Sequence, residues 1–291
     1  MIIDVHAHCW PEGSFNEEFM ADARRMRASA VNLLTPYDRY HDNLPTDEEV
    51  VTIVFGGKAR LSGLWVNDAD VASYVAQAPE RMIGFLSVDP TQPGWEQELR
   101  EGHQRHGLRG IKLLPMYADF YPQDERLDPL WRYAGEHQLP VLLHTGTTFV
   151  SKAPIDCTLP RHLDVVARRF PDVKMILAHL GHPYEGETVA VIRKHPNLFA
   201  DISALTYRPW QLFHSLMLVH EYNVWDKILF GTDYPVTTVT ETIAGLRSLA
   251  EVRIDRFSLP AEQIERLIHR DALALLGLSD FRSQSHDRSI A

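Results

Sequence analysis

Short apolar runs alternate along the chain with longer amphipathic stretches. Most of the runs are continuously apolar, which is typical of parallel strands buried on both faces. The runs predict strands at residues 2–6, 50–55, 82–88, 110–114, 140–144, 174–179, 198–202 and 228–231. Segments long enough for crossover helices lie between them, among them residues 95–106, 129–137, 163–170 and 188–194. Repeated β-then-α order predicts a parallel sheet of the α/β class, and eight such units close into a (β/α)8 TIM barrel.

One segment near the amino terminus does not follow this alternation. Residues 9–49 separate the first two strands, whereas a βα connection usually has about 2–6 residues. The segment includes a helical patch at residues 17–30. A long excursion after the first strand would sit over the mouth of the barrel, so we expect a lid or an oligomer contact.

The carboxyl-terminal part of the chain predicts a last helix and a tail. Residues 260–276 carry apolar positions on one helical face, and Gly277 follows as a helix-ending residue. We expect this helix to pack on the barrel wall, so that a single domain spans residues 1–278. Residues 279–291 are polar and without pattern, which predicts a flexible tail.

Composition narrows the class of protein. The chain has 291 residues, of which 45% are hydrophobic and 23% charged, enough for a large globular core. Its net charge of -10, without a basic cluster, argues against a nucleic-acid partner. Cys9 and Cys157 form neither a metal-ligand pair nor a disulfide framework. With no apolar run long enough for a membrane span and no signal-peptide pattern, we expect a cytoplasmic protein.

Polar residues gather where the predicted strands end. His6 and His8 alternate along the first strand and should therefore share one face. His144, His179 and Asp233 follow three other strands, at the barrel end where such enzymes place their active sites. A single histidine there would more often be a core or surface residue. Five possible ligands converging at one end favour a metal site, because buried ionisable groups are costly unless paired or metal-bound.

Two further polar residues carry open alternatives. Lys112 lies inside the fourth strand, and a lysine that points into a barrel must meet an anion or be modified. It could pair with a substrate carboxylate, carry CO2 as a carbamate that bridges two metals, or form a structural ion pair. His182 could be a neighbour in the mouth or a plain loop residue.

This ordered set of motifs resembles the amidohydrolase superfamily, in particular its amidohydrolase-related branch (amidohydrolase 2). The resemblance rests on IDVHAH (3–8), GIKL (110–113), VLLHTG (141–146), LAHLG (177–181) and LFGTDYP (229–235), and the stretch from RDA (270–272) to LGL (276–278) resembles the family's C-terminal helix. It implies metal-dependent chemistry in a TIM barrel. Members of the family hydrolyse amide and lactone bonds, and some decarboxylate unsaturated or aromatic acids.

The resemblance also implies roles for individual residues. His6, His8, His144 and Asp233 would bind the metal, and Asp233 would also take a proton from the water. His179 would bind a second metal or hydrogen-bond the nucleophile or the substrate. No motif covers residues 9–49, where specificity would then lie.

The expected reaction is hydrolysis of a C–O or C–N acyl bond, in a lactone or amide of a small carboxylated substrate. Non-oxidative decarboxylation on the same scaffold is the second hypothesis, and metal binding without catalysis is the third. Zinc suits the imidazole and carboxylate ligands, and manganese or cobalt would also fit, as one ion or two. Tyr117, Tyr207 and Arg208 follow strands and are either substrate-binding or plain loop residues. We expect a small molecule as the partner and allow a homodimer or a higher homo-oligomer.

Overall fold

The computed structural model describes residues 1–26 and 32–281, and eight parallel strands form its centre. They are β1 (Ile2–His8), β2 (Val50–Phe55), β3 (Met82–Ser87), β4 (Ile111–Leu113), β5 (Val141–Leu143), β6 (Met175–Leu177), β7 (Leu198–Asp201) and β8 (Ile228–Leu229). Each strand pairs with the next in sequence order. The predicted TIM barrel is confirmed, and each of the eight predicted strands overlaps an observed one.

The barrel closes at a seam between its first and last strands. The backbone N–H of Val5 donates to the carbonyl of Phe230 over 3.0 Å, and that of His8 donates to Tyr234 over 3.0 Å. Asp4 stabilises the same seam, because its buried carboxylate accepts hydrogen bonds from both the backbone N–H and the hydroxyl of Thr232. The seam therefore brings the end of β1 against the residues that follow β8.

The continuous apolar strands divide their side chains between two layers. In β5, Leu142 belongs to an apolar cluster inside the barrel that also contains Ile53 and Phe85. Val141 and Leu143, on either side of it, belong to the larger cluster formed with the surrounding helices. Burial on both faces explains why these strands carry no alternating pattern.

Helices surround the barrel and connect its strands. They are α1 (Glu17–Met26), α2 (Tyr37–Asp42), α3 (Asp68–Val75), α4 (Trp95–Gln104), α5 (Pro115–Ala118), α6 (Asp128–Glu136), α7 (Arg161–Arg169), α8 (Glu185–Lys194), α9 (Pro209–Glu221), α10 (Val239–Leu249), α11 (Ala261–Ile268) and α12 (Ala272–Leu276). Short 3-10 turns span Glu125–Leu127, Ile155–Thr158, Ala178–Gly181 and Trp225–Lys227. Two small hairpins pair Lys58–Ala59 with Leu64–Trp65 and Arg253–Ile254 with Phe257–Ser258. No helix in the described ranges is long and apolar enough to cross a membrane.

The carboxyl-terminal region differs from the single helix predicted at residues 260–276. It forms α11 and α12, because Asp271 leaves the helical path and its side chain caps α12 by accepting from the Ala274 backbone N–H. Order also continues past residue 278. Phe281 is buried against the inner apolar cluster, and Asp280 pairs with Arg109. The rest of the predicted tail lies outside the described residues.

The long excursion after β1 folds over the carboxyl-terminal end of the barrel. Its helix α1 covers most of the predicted helical patch, and residues 27–31 lie outside the described ranges. Trp10, Phe19 and Met20 from this excursion line the cavity described next. The segment predicted as a lid or oligomer contact thus forms part of the cavity wall.

Candidate active site

A cavity of about 390 Å³ opens at the carboxyl-terminal end of the strands. Its walls are mostly apolar, and its few polar groups converge at the bottom and at the mouth, as is usual in small-molecule sites. Nine of the residues singled out in the sequence line it: His8, Lys112, Tyr117, His144, His179, His182, Tyr207, Arg208 and Asp233. His6 lies beneath them and is fully buried.

Two imidazoles share one carboxylate oxygen at the bottom of the cavity. Nε2 of His6 lies 3.0 Å from Oδ1 of Asp233, and Nε2 of His8 lies 2.9 Å from the same oxygen. Asp233 reaches this place because it directly follows the seam, where its backbone N–H donates to the His6 carbonyl over 2.7 Å. The alternating histidines of β1 therefore face one centre, as their spacing predicts.

A second carboxylate supports this group from below. Oδ2 of the fully buried Asp201 accepts from Nδ1 of His6 over 2.9 Å, while Oδ1 accepts the backbone N–H groups of His179 and Ser203. The Ser203 carbonyl can only accept, so Nδ1 of His179, 3.1 Å away, donates to it. When its ring is neutral, His179 therefore keeps a lone pair on Nε2, the atom that a metal would use.

The backbone at two of these residues is in the left-handed region. φ is 58° at His179 and 60° at Asp233, and Leu180 follows at 48°. Such a conformation costs about 1–3 kcal/mol for a residue other than glycine and persists only where the surroundings fix it. The hydrogen bonds to Asp201 and to the His6 carbonyl fix it here. Both side chains are thereby aimed at the same point.

Burial lowers the pKa of three of the four histidines that gather around Asp233. It lowers the pKa of His8 to about 3 and that of His179 to about 4, and it holds the pKa of His144 well below its usual value. Burial alone would raise the pKa of Asp233, but the electrostatic interaction with His179 and the hydrogen bonds from His6 and His8 outweigh it and hold that pKa well below its usual range. The site thus combines neutral imidazoles with an ionised carboxylate.

His6 is the exception among the histidines. Burial and the charge of Lys112 favour the neutral ring, but Asp201 and Asp233 outweigh them and raise the pKa of His6. Both ring nitrogens then act as donors to carboxylates. A proton held between an imidazole nitrogen and a carboxylate oxygen occupies a place that a divalent cation can take.

The donor set fits a metal ion. His6, His179 and Asp233 offer ligand atoms that all lie within 4.8 Å of one another, and all three residues are buried. The Asp201–His6 pair matches the usual arrangement in which a carboxylate orients a metal-binding imidazole through its other nitrogen. His8 contacts the same Asp233 oxygen from the side of the cavity.

His144 is placed differently from the other predicted ligands. Its Nε2 donates to the Thr147 carbonyl over 3.1 Å, so only its Nδ1 can hold a lone pair. Its ring lies 5.1 Å from the His179 ring and 4.9 Å from the Tyr117 ring, measured between centroids. The structure thus brings His6, His8, His179 and Asp233 into one group, with His144 at its edge.

Lys112 is buried beside this group of side chains. Its Nζ lies 3.5 Å from Nε2 of His6 and 4.4 Å from the centre of the Phe55 ring. No carboxylate of residues 1–26 and 32–281 comes within the 4.0 Å of an ion pair with it, so the structural ion pair considered for this lysine does not form. Burial lowers the pKa of Lys112 to about 7. The amine is therefore available to an anion, or to modification, at the bottom of the cavity.

The predicted substrate-binding residues line the upper wall and the mouth. The Tyr117 hydroxyl accepts from Thr148 over 2.8 Å, and Arg208 donates to His182 over 2.9 Å. Tyr207 lies beside Arg208, with the guanidinium carbon 5.1 Å from the centre of its ring. His182 therefore lies in the mouth, one of the two alternatives that the sequence left open.

Three functional candidates were not among the residues singled out in the sequence. Asp201 and Ser203 orient the histidines, and Glu185 orients His182 over 3.0 Å. Asp201 could have been identified from the sequence, because a charged residue inside an apolar strand needs a partner. Glu185 could not, because its contacts are with a loop and with another helix and leave no local sequence pattern.

A sequence model of the family described as "Amidohydrolase" matches residues 3–278, and the chain belongs to this family. Enzymes of this family act on small molecules. Comparison with curated proteins finds no match.

Solved structures share the fold over almost the whole chain. A TIM-barrel protein from Bordetella bronchiseptica is 21% identical with a TM-score of 0.73, covering 95% of this chain and 98% of that one. A probable 2-pyrone-4,6-dicarboxylic acid hydrolase from Acinetobacter baumannii, with citric acid bound, is 15% identical with a TM-score of 0.65, covering 95% and 99%. A 5-carboxyvanillate decarboxylase from Novosphingobium aromaticivorans, complexed with manganese and a nitrobenzoic acid, is 15% identical with a TM-score of 0.67, covering 96% of each chain. At these identities the likeness concerns the fold.

Proposed function

We propose that the protein is a metal-dependent hydrolase that cleaves a C–O or C–N acyl bond, in a lactone or amide of a small carboxylated substrate. The observation that carries this proposal is the convergence of His6 Nε2 and His8 Nε2 on one oxygen of Asp233, at 3.0 and 2.9 Å. Imidazole nitrogens and a carboxylate oxygen are the ligands of catalytic zinc sites, and manganese or cobalt would also fit. Such an ion lowers the pKa of a bound water from about 15.7 to about 7 and polarises an acyl carbonyl.

The residues around this centre have complementary tasks. His6, His8, His179 and Asp233 would hold the ion, and His144 would join them through Nδ1. Asp233 stays ionised because its pKa is held well below the usual range, so it can accept a proton from water and return it to the leaving group. The buried Lys112 would stabilise negative charge that develops on the substrate. A cation does this more effectively in a buried site than in water.

Non-oxidative decarboxylation is a second candidate on the same scaffold. The apolar wall of the cavity, with Trp10, Phe19, Tyr117 and Phe149, suits an aromatic acid. The Novosphingobium decarboxylase, bound to manganese and an aromatic acid, has the same fold. Release of CO2, with no oxygen from labelled water in the organic product, would support this candidate over hydrolysis.

Metal content tests the common premise of both reactions. Elemental analysis of purified wild type should find about one zinc or manganese per chain. His6→Ala should lose it, whereas His41→Ala, a control at an exposed histidine, should keep it. Two ions per chain would point to a carbamate on Lys112. No metal in protein grown with adequate supply would contradict the proposal.

Turnover tests the reaction itself. Asp233→Asn should abolish hydrolysis of lactones and amides in a substrate survey while the far-UV circular dichroism stays unchanged. Activity retained by this variant would contradict the role of Asp233. The absence of any turnover in the metal-loaded wild type would favour metal binding without catalysis.

A further inference from the structure

Three residues at the mouth of the cavity form a hydrogen-bonded chain. Nη1 of Arg208 lies 2.9 Å from Nε2 of His182, and Nδ1 of His182 lies 3.0 Å from Oε1 of Glu185. A guanidinium only donates and a carboxylate only accepts. His182 must therefore accept on Nε2 and donate from Nδ1, so its two neighbours fix both its tautomer and its orientation.

Glu185 is the fixed end of this chain. It is the first residue of α8 and its side chain is 4% exposed. The same oxygen also accepts from Gln211 and, over 3.3 Å, from Ser215, both on α9. Burial would raise its pKa, but the hydrogen bond from His182 and its other donors outweigh burial and lower it. The chain thus begins at an ionised carboxylate anchored between two helices.

Arg208 is the free cationic end. A second arginine, Arg24, also lines the cavity, but its Nη2 lies 2.6 Å from Oε1 of Glu17. Arg208 has no carboxylate within 4.0 Å in the described ranges. Its contact with His182 uses one of five N–H donors, so the others remain for a ligand.

The guanidinium opens into a cavity whose remaining walls suit a flat apolar body. Trp10 stacks on His8 with 3.9 Å between ring centres, and Phe19 and Phe149 meet edge to face at 5.3 Å. A ligand that fills this space would have its reacting end near Asp233. An anionic group on its other end could then meet Arg208.

We propose that Arg208 is a specificity-determining residue that binds a carboxylate of the substrate remote from the bond that reacts. His182 and Glu185 are its positioning residues. The favoured substrate is then an apolar, ring-containing molecule that carries a carboxylate at the mouth end of the cavity. The orientation of the substrate in this inference rests on the proposed function. The binding of the carboxylate by Arg208 does not.

The chain of contacts gives this role a physical basis. A guanidinium pairs with a carboxylate through two parallel hydrogen bonds, which demands a defined orientation of its plane. An exposed arginine would lose side-chain entropy on binding. The contact with His182 restricts the guanidinium before the ligand arrives, so less entropy remains to be lost.

Calorimetric titration with two probes tests the inference. Benzene-1,3-dicarboxylate and benzoate share a ring and one carboxylate, so the ratio of their affinities measures what the second carboxylate adds. Wild type should favour the dicarboxylate by about 10-fold or more, since hydrogen bonds between charged groups are among the stronger ones. Arg208→Gln should lose this preference and keep its affinity for benzoate. Arg193→Gln, a control at an exposed arginine outside the cavity, should match wild type.

A double-variant cycle tests the positioning residues. His182→Phe keeps a ring but removes the acceptor for Arg208, so the dicarboxylate preference should fall by about 3-fold or more. In the Arg208→Gln background the same change should have no further effect on the preference. An additive effect would show a merely structural role for His182 and would overturn its assignment.

The outcomes separate this inference from the proposed function. Wild type without a dicarboxylate preference, or Arg208→Gln with the preference intact, would overturn the inference whatever the protein catalyses. A preference that depends on Arg208, in a protein that contains metal but hydrolyses nothing, would support the inference and contradict the proposed function.

Discussion

Replacing Asp201 by asparagine should weaken metal binding through the tautomer of His6. In the native protein Oδ2 of Asp201 accepts from His6 Nδ1, which leaves Nε2 as the nitrogen directed at Asp233. The asparagine oxygen can still accept the two backbone N–H groups that Oδ1 accepts now. Its NH2 group would then face the Nδ1–H of His6, so two donors would meet. A neutral His6 ring, the form that can bind an ion, would relieve this conflict only by carrying its one proton on Nε2, the atom needed for the ion.

The expected size follows from the loss of one buried, charge-assisted hydrogen bond. Partners of this kind usually contribute about 10–100-fold to metal affinity. With about 1.4 kcal/mol for each factor of ten, this corresponds to about 1.4–2.8 kcal/mol of binding free energy. A zinc titration in competition with a chromophoric chelator measures the change directly.

A matched variant separates this effect from general loss of stability. Asp68→Asn makes the same substitution at another buried carboxylate, the partner of Lys58 at 2.8 Å, away from the cavity. It should lower the free energy of unfolding and leave zinc affinity unchanged. Wild-type zinc affinity in Asp201→Asn, or an equal loss in both variants, would refute the reasoning.

Three further predictions concern charge and the cavity wall. Unfolding of the metal-free protein should take up protons between about pH 4.5 and 6.5, because the three site histidines with lowered pKa values outnumber the two buried carboxylates with raised ones, Asp4 and Asp68. His6, whose pKa is raised, stays protonated in the folded state and releases at most part of one proton on unfolding. The free energy of unfolding should therefore fall as pH falls, and denaturant titrations showing a flat or rising value would contradict this. Lys112→Met should raise the melting temperature in calorimetry but lower turnover, because it removes a buried charge that forms no ion pair with any described carboxylate; a lower melting temperature would indicate a structural role. Asp22→Ala removes the acceptor of the Ser151 backbone N–H and hydroxyl that ties α1 to the loop after β5, so hydrogen exchange in α1 should accelerate, and unchanged exchange would show that the tie is unimportant.

The barrel could be predicted because its strands are buried on both faces and its helices on one. These patterns are local, and they place His144 and Asp233 at strand ends without knowledge of any contact. The break in the helix before α12 could also have been predicted, since Asp271 precedes Ala272 as an N-cap residue would. The apolar positions of residues 260–276 hid it, because both short helices bury some of them, α11 in the outer cluster and α12 in the inner one.

The finer organisation of the site depends on contacts between distant parts of the chain. The left-handed backbone at His179 and Asp233 follows from hydrogen bonds across strands, and nothing in either local sequence demands it. Nε2 of His144 donates to the Thr147 carbonyl, and the position of this carbonyl depends on the path of the loop. Local patterns therefore predict which residues meet, whereas the atoms with which they meet follow from the tertiary fold.

The seam between β1 and β8 has a consequence for biosynthesis. His6 is synthesised more than two hundred residues before its partner Asp233. Until then the two histidines of β1 lack the carboxylate that both of them contact in the folded protein. Completion of this group of side chains is thus a late event in synthesis, and a chain that stops before Asp233 would carry the histidines without their shared carboxylate.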